Sequence, residues 1–157
     1  LDLSDQYQSY SGSFVLYDIA EDTWSIYNLD QAVTRIAPNS TYKPYCALFG
    51  LDQQIITIDN SKLEWNHESY PFSNWEADQT LSSAMKYSVN WYFDTILSSL
   101  STEMQSNYLR LLQYGNQSPK DTSSIFGMET SLKISPVEQA LLLTRLYKTN
   151  FLFPPTR

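Results

Sequence analysis

Two short runs of strand-forming residues stand five residues apart near the start of the chain: Ser13-Phe14-Val15-Leu16-Tyr17 and Thr23-Trp24-Ser25-Ile26-Tyr27. The segment between them, residues 18–22, is polar enough to turn, so the pair reads as a β-hairpin. A hairpin pairs its strands antiparallel, which argues against an all-parallel sheet. A short third strand is expected over residues 33–37, before the break at Pro38-Asn39.

From there the chain reads as helical. A helix starts at or near Ser40 and ends near Gly50, apolar almost all round after Lys43. Pro44 suits only its first turn. Residues 65–75 read as an ordered aromatic loop. Further helices are expected over 78–86, with Asp78 as cap, and over 91–100 and 103–112. Tyr114-Gly115-Asn116 is a turn, and 117–124 a polar loop. The last helix has the clearest start: Ser135 as N-cap, Pro136 at the first helical position and Glu138 at the third. It runs to about Tyr147, and Phe151-Leu152-Phe153-Pro154-Pro155 ends it. Strands followed by helices predict an α+β fold, and 157 residues fit one domain over 1–157.

Composition narrows the function classes. A chain of this length holds a core without disulfides or metal. The only cysteine, Cys46, excludes a disulfide within the chain, and the only histidine, His67, argues against a metal site. Cys46 is expected to be a packed core thiol and His67 a loop residue. A net charge of −7 argues against nucleic acid or an anionic membrane surface as a main partner. No apolar stretch reaches ~18 residues, so no membrane span is expected. The pairs Glu21-Asp22 and Glu76/Asp78 read as solvated surface rather than a glycosidase pair.

The pattern S-x-x-K places a hydroxyl and an amine on one helical face. A lysine buried among apolar groups loses its proton readily and can then act as a base. Its neutral amine can also take up carbon dioxide as a carbamate. With 21 serines and 6 lysines, chance alone supplies about one such pair, and the chain has two. Ser83 with Lys86 suits the solvated side of a helix. Ser40 with Lys43 opens a buried helix, where free N–H groups and the positive dipole end suit an oxyanion. The alternative for Ser40 is an N-cap serine beside a snorkelling lysine.

Four ordered segments carry a resemblance: Ser40-Thr41-Tyr42-Lys43, Ser88-Val89-Asn90, Tyr114-Gly115-Asn116, and Ser131-Leu132-Lys133-Ile134-Ser135-Pro136 with Glu138-Gln139. Their order and spacing resemble the penicillin-recognising serine proteins, in particular the class D β-lactamases. They are closer still to the extracellular sensor domains of BlaR/MecR-type receptors. The resemblance implies a class D β-lactamase-like fold, an antiparallel sheet with a helical region. It implies that a β-lactam acylates Ser40, that Lys43 acts as general base in its carbamylated form, and that Ser88 relays a proton to the lactam nitrogen. Tyr114 and Asn116 belong to a family motif near the site. Asn90 stands where hydrolases commonly carry an apolar residue. An amide there can hold the lysine and disfavour the carbamate.

The sensor reading therefore implies acylation with slow deacylation, and no cofactor beyond a carbamate on Lys43. Its partners are β-lactam antibiotics and the rest of a membrane receptor, and its location is the outer face of a bacterial cell membrane. The alternative is a class D β-lactamase with turnover. Two departures stand out. Gly127, beside Phe126, occupies the place of a family tryptophan. The K-T-G strand has no counterpart, since Lys148-Thr149-Asn150 follows directly from a helix. The chain is accordingly expected to lack the C-terminal strands of the domain.

Overall fold

The N-terminal hairpin forms, preceded by a one-turn helix, α1 (Ser4–Tyr7). Strand β1 (Phe14–Asp18) pairs antiparallel with β2 (Thr23–Tyr27), from Phe14 opposite Tyr27 to Asp18 opposite Thr23. The structure, a computed structural model, describes residues 1–118, 126 and 130–148. Along β1 burial alternates with the pleat: Val15 and Tyr17 are half-buried, while Phe14 and Leu16 face outward. The expected strand over 33–37 is absent. Instead Asn28, in a left-handed conformation, accepts the Gln31 N–H and starts a short helix, α2 (Leu29–Val33). Of that segment only Ile36 pairs as a strand residue, in an isolated antiparallel bridge with Ile134.

The helix expected from Ser40 divides in two. Residues Asn39–Tyr42 form a 3₁₀ turn, and α3 (Lys43–Asp52) follows. Pro44 is tolerated because it lies in the first turn of α3, where its missing N–H has no helical acceptor. The following helix starts later than expected. Asp78 pairs with Lys62 at 2.7 Å and accepts the Trp65 N–H. An antiparallel bridge between Leu63 and Gln79 carries the chain extended to Thr80, which caps α4 (Leu81–Tyr87). Ser83 closes a capping box with Thr80, which places it in the first turn of α4.

Helices α5 (Asn90–Ser98), α6 (Thr102–Leu112) and α7 (Pro136–Lys148) lie close to their expected positions. Ser135 and Glu138 exchange the predicted capping hydrogen bonds. Lys148 falls within α7. Thr149, Asn150, Gly127, the terminating segment 151–155 and most of the polar loop lie outside the described residues.

The core sits between α3 and α5, with α6 alongside. Tyr45, Cys46 and Phe49 of α3 are fully enclosed, as are Tyr92, Phe93, Ile96 and Leu97 of α5. Each large apolar side chain so buried contributes about 1.5–3 kcal/mol relative to leaving it in water. The two helices meet closely at Gly50, where a Cβ would lie 2.9 Å from Ile96 Cγ2. Gly115 is constrained twice: its φ is +49°, and a Cβ would fall 1.9 Å from the Lys133 carbonyl oxygen. Helices α2 and α7 pack against the hairpin, joining it to the helical part.

Candidate active site

Ser40 is presented by the 3₁₀ turn, between Asn39 at φ +46° and the start of α3. It is solvent-exposed, whereas Lys43, three residues on and on the same face, is only 2% exposed. Across from them α4 ends at Ser88, a non-glycine residue at φ +55°. Such a conformation costs about 1–3 kcal/mol and persists where surrounding contacts enforce it. Here it turns both oxygens of Ser88 toward the lysine. Val89 is fully buried, and Asn90 opens α5 beside it.

These residues converge on one nitrogen. Lys43 Nζ donates to the Ser88 carbonyl oxygen at 2.7 Å and to Ser88 Oγ at 2.6 Å. It also lies 2.7 Å from Asn90 Oδ1 and 3.1 Å from Ser40 Oγ. Ser88 Oγ donates to Ser40 Oγ at 3.1 Å, closing a triangle of two hydroxyls and an amine. Phe126 and Phe93 cover the amine, with ring centroids 4.8 and 5.8 Å from Nζ. Desolvation is the main influence on the lysine and brings its pKa from 10.5 down to about 8.

The geometry states what a neutral lysine does here. Its two N–H bonds match the two oxygens that can only accept, the Ser88 carbonyl and Asn90 Oδ1. Its lone pair is then left for the Ser40 hydroxyl, which in turn accepts from Ser88 Oγ. That is the arrangement of an activated serine nucleophile with an adjacent base.

Ser40 opens onto a cleft of 360 Å³ lined by Phe72, Asn74, Trp75, Tyr87, Ser88 and Asn90. The aromatic loop supplies its wall. Trp75 Nε1 donates to the Tyr87 carbonyl, and Trp91 Nε1 to the Trp75 carbonyl, which fix the loop against α4 and α5. On its other side Ser40 borders a groove of 600 Å³ lined by Val15, Ile36, Ile134 and Leu143, among others.

The remaining motif residues do not reach the amine. Tyr114 is buried, with its ring 5.0 Å from Tyr42 and 5.1 Å from Tyr45, and its hydroxyl donates to Gln139. Burial holds that phenol well above the ordinary tyrosine range. Asn116 donates to the Ser131 carbonyl at 2.8 Å and accepts the Lys133 N–H at 2.9 Å, so it splices the turn onto the segment before α7. Phe93 was not singled out from the sequence. Its position three residues after Asn90 on a helix is the signal that places it on the same face. Cys46 is a buried thiol, and the His67 ring lies 4.8 Å from that of Trp65 in the loop, tilted against it. Among the described residues no cluster of metal-ligating side chains occurs. No described helix is long and apolar enough to cross a membrane.

A serine hydroxyl, a buried lysine and a second serine brought together on an α+β scaffold form an arrangement that can support acyl transfer. The chain belongs to the penicillin-binding protein transpeptidase domain family, whose model matches residues 5–156. More narrowly, it is 43% identical over 150 residues to the regulatory protein BlaR1 of Staphylococcus aureus. That alignment covers 96% of this chain and 26% of the relative, so the chain spans about a quarter of that protein's length. The solved C-terminal domain of the Bacillus licheniformis BlaR penicillin-receptor superposes with a TM-score of 0.80 at 37% identity, over 87% of this chain and 55% of that one. A class D β-lactamase from Bacillus subtilis superposes with a TM-score of 0.88 at 31% identity, over 98% and 65%. The chain is a homologue of the BlaR1/MecR1 sensor domains with the class D β-lactamase fold.

Proposed function

We propose that this chain is the β-lactam-binding part, a single domain, of a receptor that signals across a bacterial membrane from its outer face. Ser40 Oγ attacks the lactam carbonyl while its proton passes to the neutral Lys43 amine. The lactam C–N bond breaks, and Ser88 passes the proton on from Lys43 to the departing nitrogen. The product is an ester on Ser40. Tyr114 and Asn116 serve by holding the turn and the segment before α7 in place around the site.

The observation that carries the sensor reading is the 2.7 Å contact between Lys43 Nζ and Asn90 Oδ1. It ties down the amine where a hydrolase would carry a carbamate, and the acyl ester is left without the base that activates water. A second reading, a class D β-lactamase with turnover, draws on the lowered pKa of Lys43, because only the neutral amine takes up carbon dioxide.

Intact-protein mass after a pulse of benzylpenicillin separates them, with Ser40→Ala as control, on this chain and on the chain extended past Arg157. One persistent adduct is the sensor outcome. An adduct that vanishes as free penicillin is consumed is the hydrolase outcome. No adduct in either chain overturns both.

A further inference from the structure

Two neighbouring residues near the start of α7 reach back to the segment that carries Ser40. Glu138 accepts from the guanidinium of Arg35, five residues before Ser40, at 3.0 Å from Nε and 2.5 Å from Nη2. Gln139 holds the other flank. Its Nε2 donates at 3.3 Å to the hydroxyl of Tyr45, five residues after Ser40, and its Oε1 accepts from the Tyr114 hydroxyl at 3.1 Å. The two grips are unequal. The ion pair is open to solvent, where such pairs are worth little. Tyr45 and Tyr114 are wholly enclosed, so losing the partner of either hydroxyl leaves a buried polar atom unpaired.

An amide suits that position. It accepts through oxygen and donates through nitrogen while carrying no charge, so it serves two hydroxyls at once. Burial pushes the Tyr45 phenol up to about 12 and raises that of Tyr114 as well, so neither loses its proton over the range in which Lys43 does. The rings of these two tyrosines lie 5.1 Å apart, and both pack on Tyr42, at 6.2 and 5.0 Å. Tyr42 is 1% exposed and stands in the 3₁₀ turn, between Ser40 and Lys43 in the chain. Its place therefore bears on how the serine is presented to the amine 3.1 Å away. Gln139 and Ser40 also border the same groove of 600 Å³.

We propose that Gln139 is a positioning residue for acylation: its amide locks the rings of Tyr42, Tyr45 and Tyr114 together, and through Tyr42 keeps Ser40 Oγ within reach of Lys43. The inference rests on the reading of Ser40 as the acylated serine, and adds that α7 carries part of the nucleophile's geometry. Without the amide the three rings shift, and a nucleophile misplaced by about 1 Å reacts far more slowly.

The test is benzylpenicillin acylation of the full chain, followed by rapid-quench intact-mass measurements that separate the affinity of the initial complex from the rate constant of the covalent step. Wild type, Gln139→Met, Tyr45→Phe and the double variant are compared at a temperature where thermal unfolding shows each to be folded. Met keeps the length of the side chain and removes both hydrogen bonds. In Gln139→Met the rate constant falls by about 10- to 100-fold, while the initial affinity and the pH midpoint near 8 stay as in wild type. Tyr45→Phe loses a smaller part, and the double variant loses no more than Gln139→Met alone, because the contact is already gone. An unchanged rate constant in Gln139→Met overturns the proposal, as do losses that multiply in the double variant, the mark of independent packing effects. If Gln139→Met does not fold, Tyr45→Phe decides alone, and an unchanged rate constant there overturns the proposal. A wild type that forms no benzylpenicillin adduct overturns the β-lactam reading instead. Ser40 is then probed with a fluorophosphonate: Oγ bonds to phosphorus, its proton passes to Lys43 and fluoride leaves. Equal labelling of Ser40 in wild type and Gln139→Met overturns the proposal in that case, and slower labelling in the variant supports it.

Discussion

The chain contains the same four-residue pattern twice, and the two copies have different surroundings. Ser40 and Lys43 meet at 3.1 Å beneath two phenyl rings, with the lysine buried against α5. Ser83 and Lys86 lie on α4, where the serine closes a capping box and the lysine stands in solvent over Tyr87. The spacing is identical, so spacing does not make a nucleophile. What differs is the opposing wall. Ser88 and Asn90 supply oxygens to the first lysine, whereas among the described residues the second is left exposed.

The largest expected difference between the copies is in covalent chemistry. Ser40→Ala abolishes the benzylpenicillin adduct in intact-mass measurements, and Ser83→Ala leaves it in full. An adduct surviving in Ser40→Ala would break the comparison outright. Next comes the base. Lys43→Met slows acylation by about 10²–10⁴-fold, the usual worth of a positioned proton acceptor. Lys86→Met changes it by less than about twofold. Stopped-flow acylation rates decide this, and equal losses in both variants would refute the assignment.

The pH dependence follows with its sign. Lys43 is depressed to about 8, so the neutral amine accumulates, and acylation accelerates, as pH rises from 7 through that value. For stability, the unfolded chain binds more protons than the folded one between about 8 and 10.5 at this residue. Lys43 therefore weighs against the folded state below pH 8, and that cost is relieved as pH rises through this window. An acylation rate flat from pH 6.5 to 9 would show that the amine is not the base.

Asn90→Val sharpens the picture further by removing the oxygen that ties Lys43. Deacylation is expected to accelerate by about tenfold, one pKa unit's worth of free energy. An unchanged deacylation rate in a mass time course would sink the Asn90 mechanism. The smallest effect belongs to the solvated copy. Loss of the Thr80 side chain in Thr80→Ala removes the α4 cap and costs about 1 kcal/mol in urea unfolding, with the acylation rate unchanged.

Local chemistry made much of the fold legible. The hairpin follows from two short runs of strand formers around a polar turn, and the start of α7 from Ser135, Pro136 and Glu138. Both depend on contacts within a few residues. Mistakes came where neighbouring elements competed. Asp78 looked like a cap, yet its carboxylate is drawn to Lys62 and the Trp65 N–H, and Thr80 caps the helix instead. Residues 33–37 looked like a strand, yet Asn28 turns the preceding residues into a helix and only Ile36 finds a strand partner.

The site divides the same way. By itself the sequence determined that Ser40 and Lys43 share a face, because three-residue spacing and a break at Pro38-Asn39 are local facts. The ordered motifs also pointed to Ser88 and Asn90. Only the tertiary structure decided that both oxygens of Ser88, 45 residues away, and the amide of Asn90 converge on one buried nitrogen. It also placed Tyr114 and Asn116 away from the amine, bonded to Gln139 and to the segment before α7. The physical reason is desolvation. A lysine becomes a base when apolar groups exclude water from it, and those groups come from Phe93 and Phe126, which only packing brings to it.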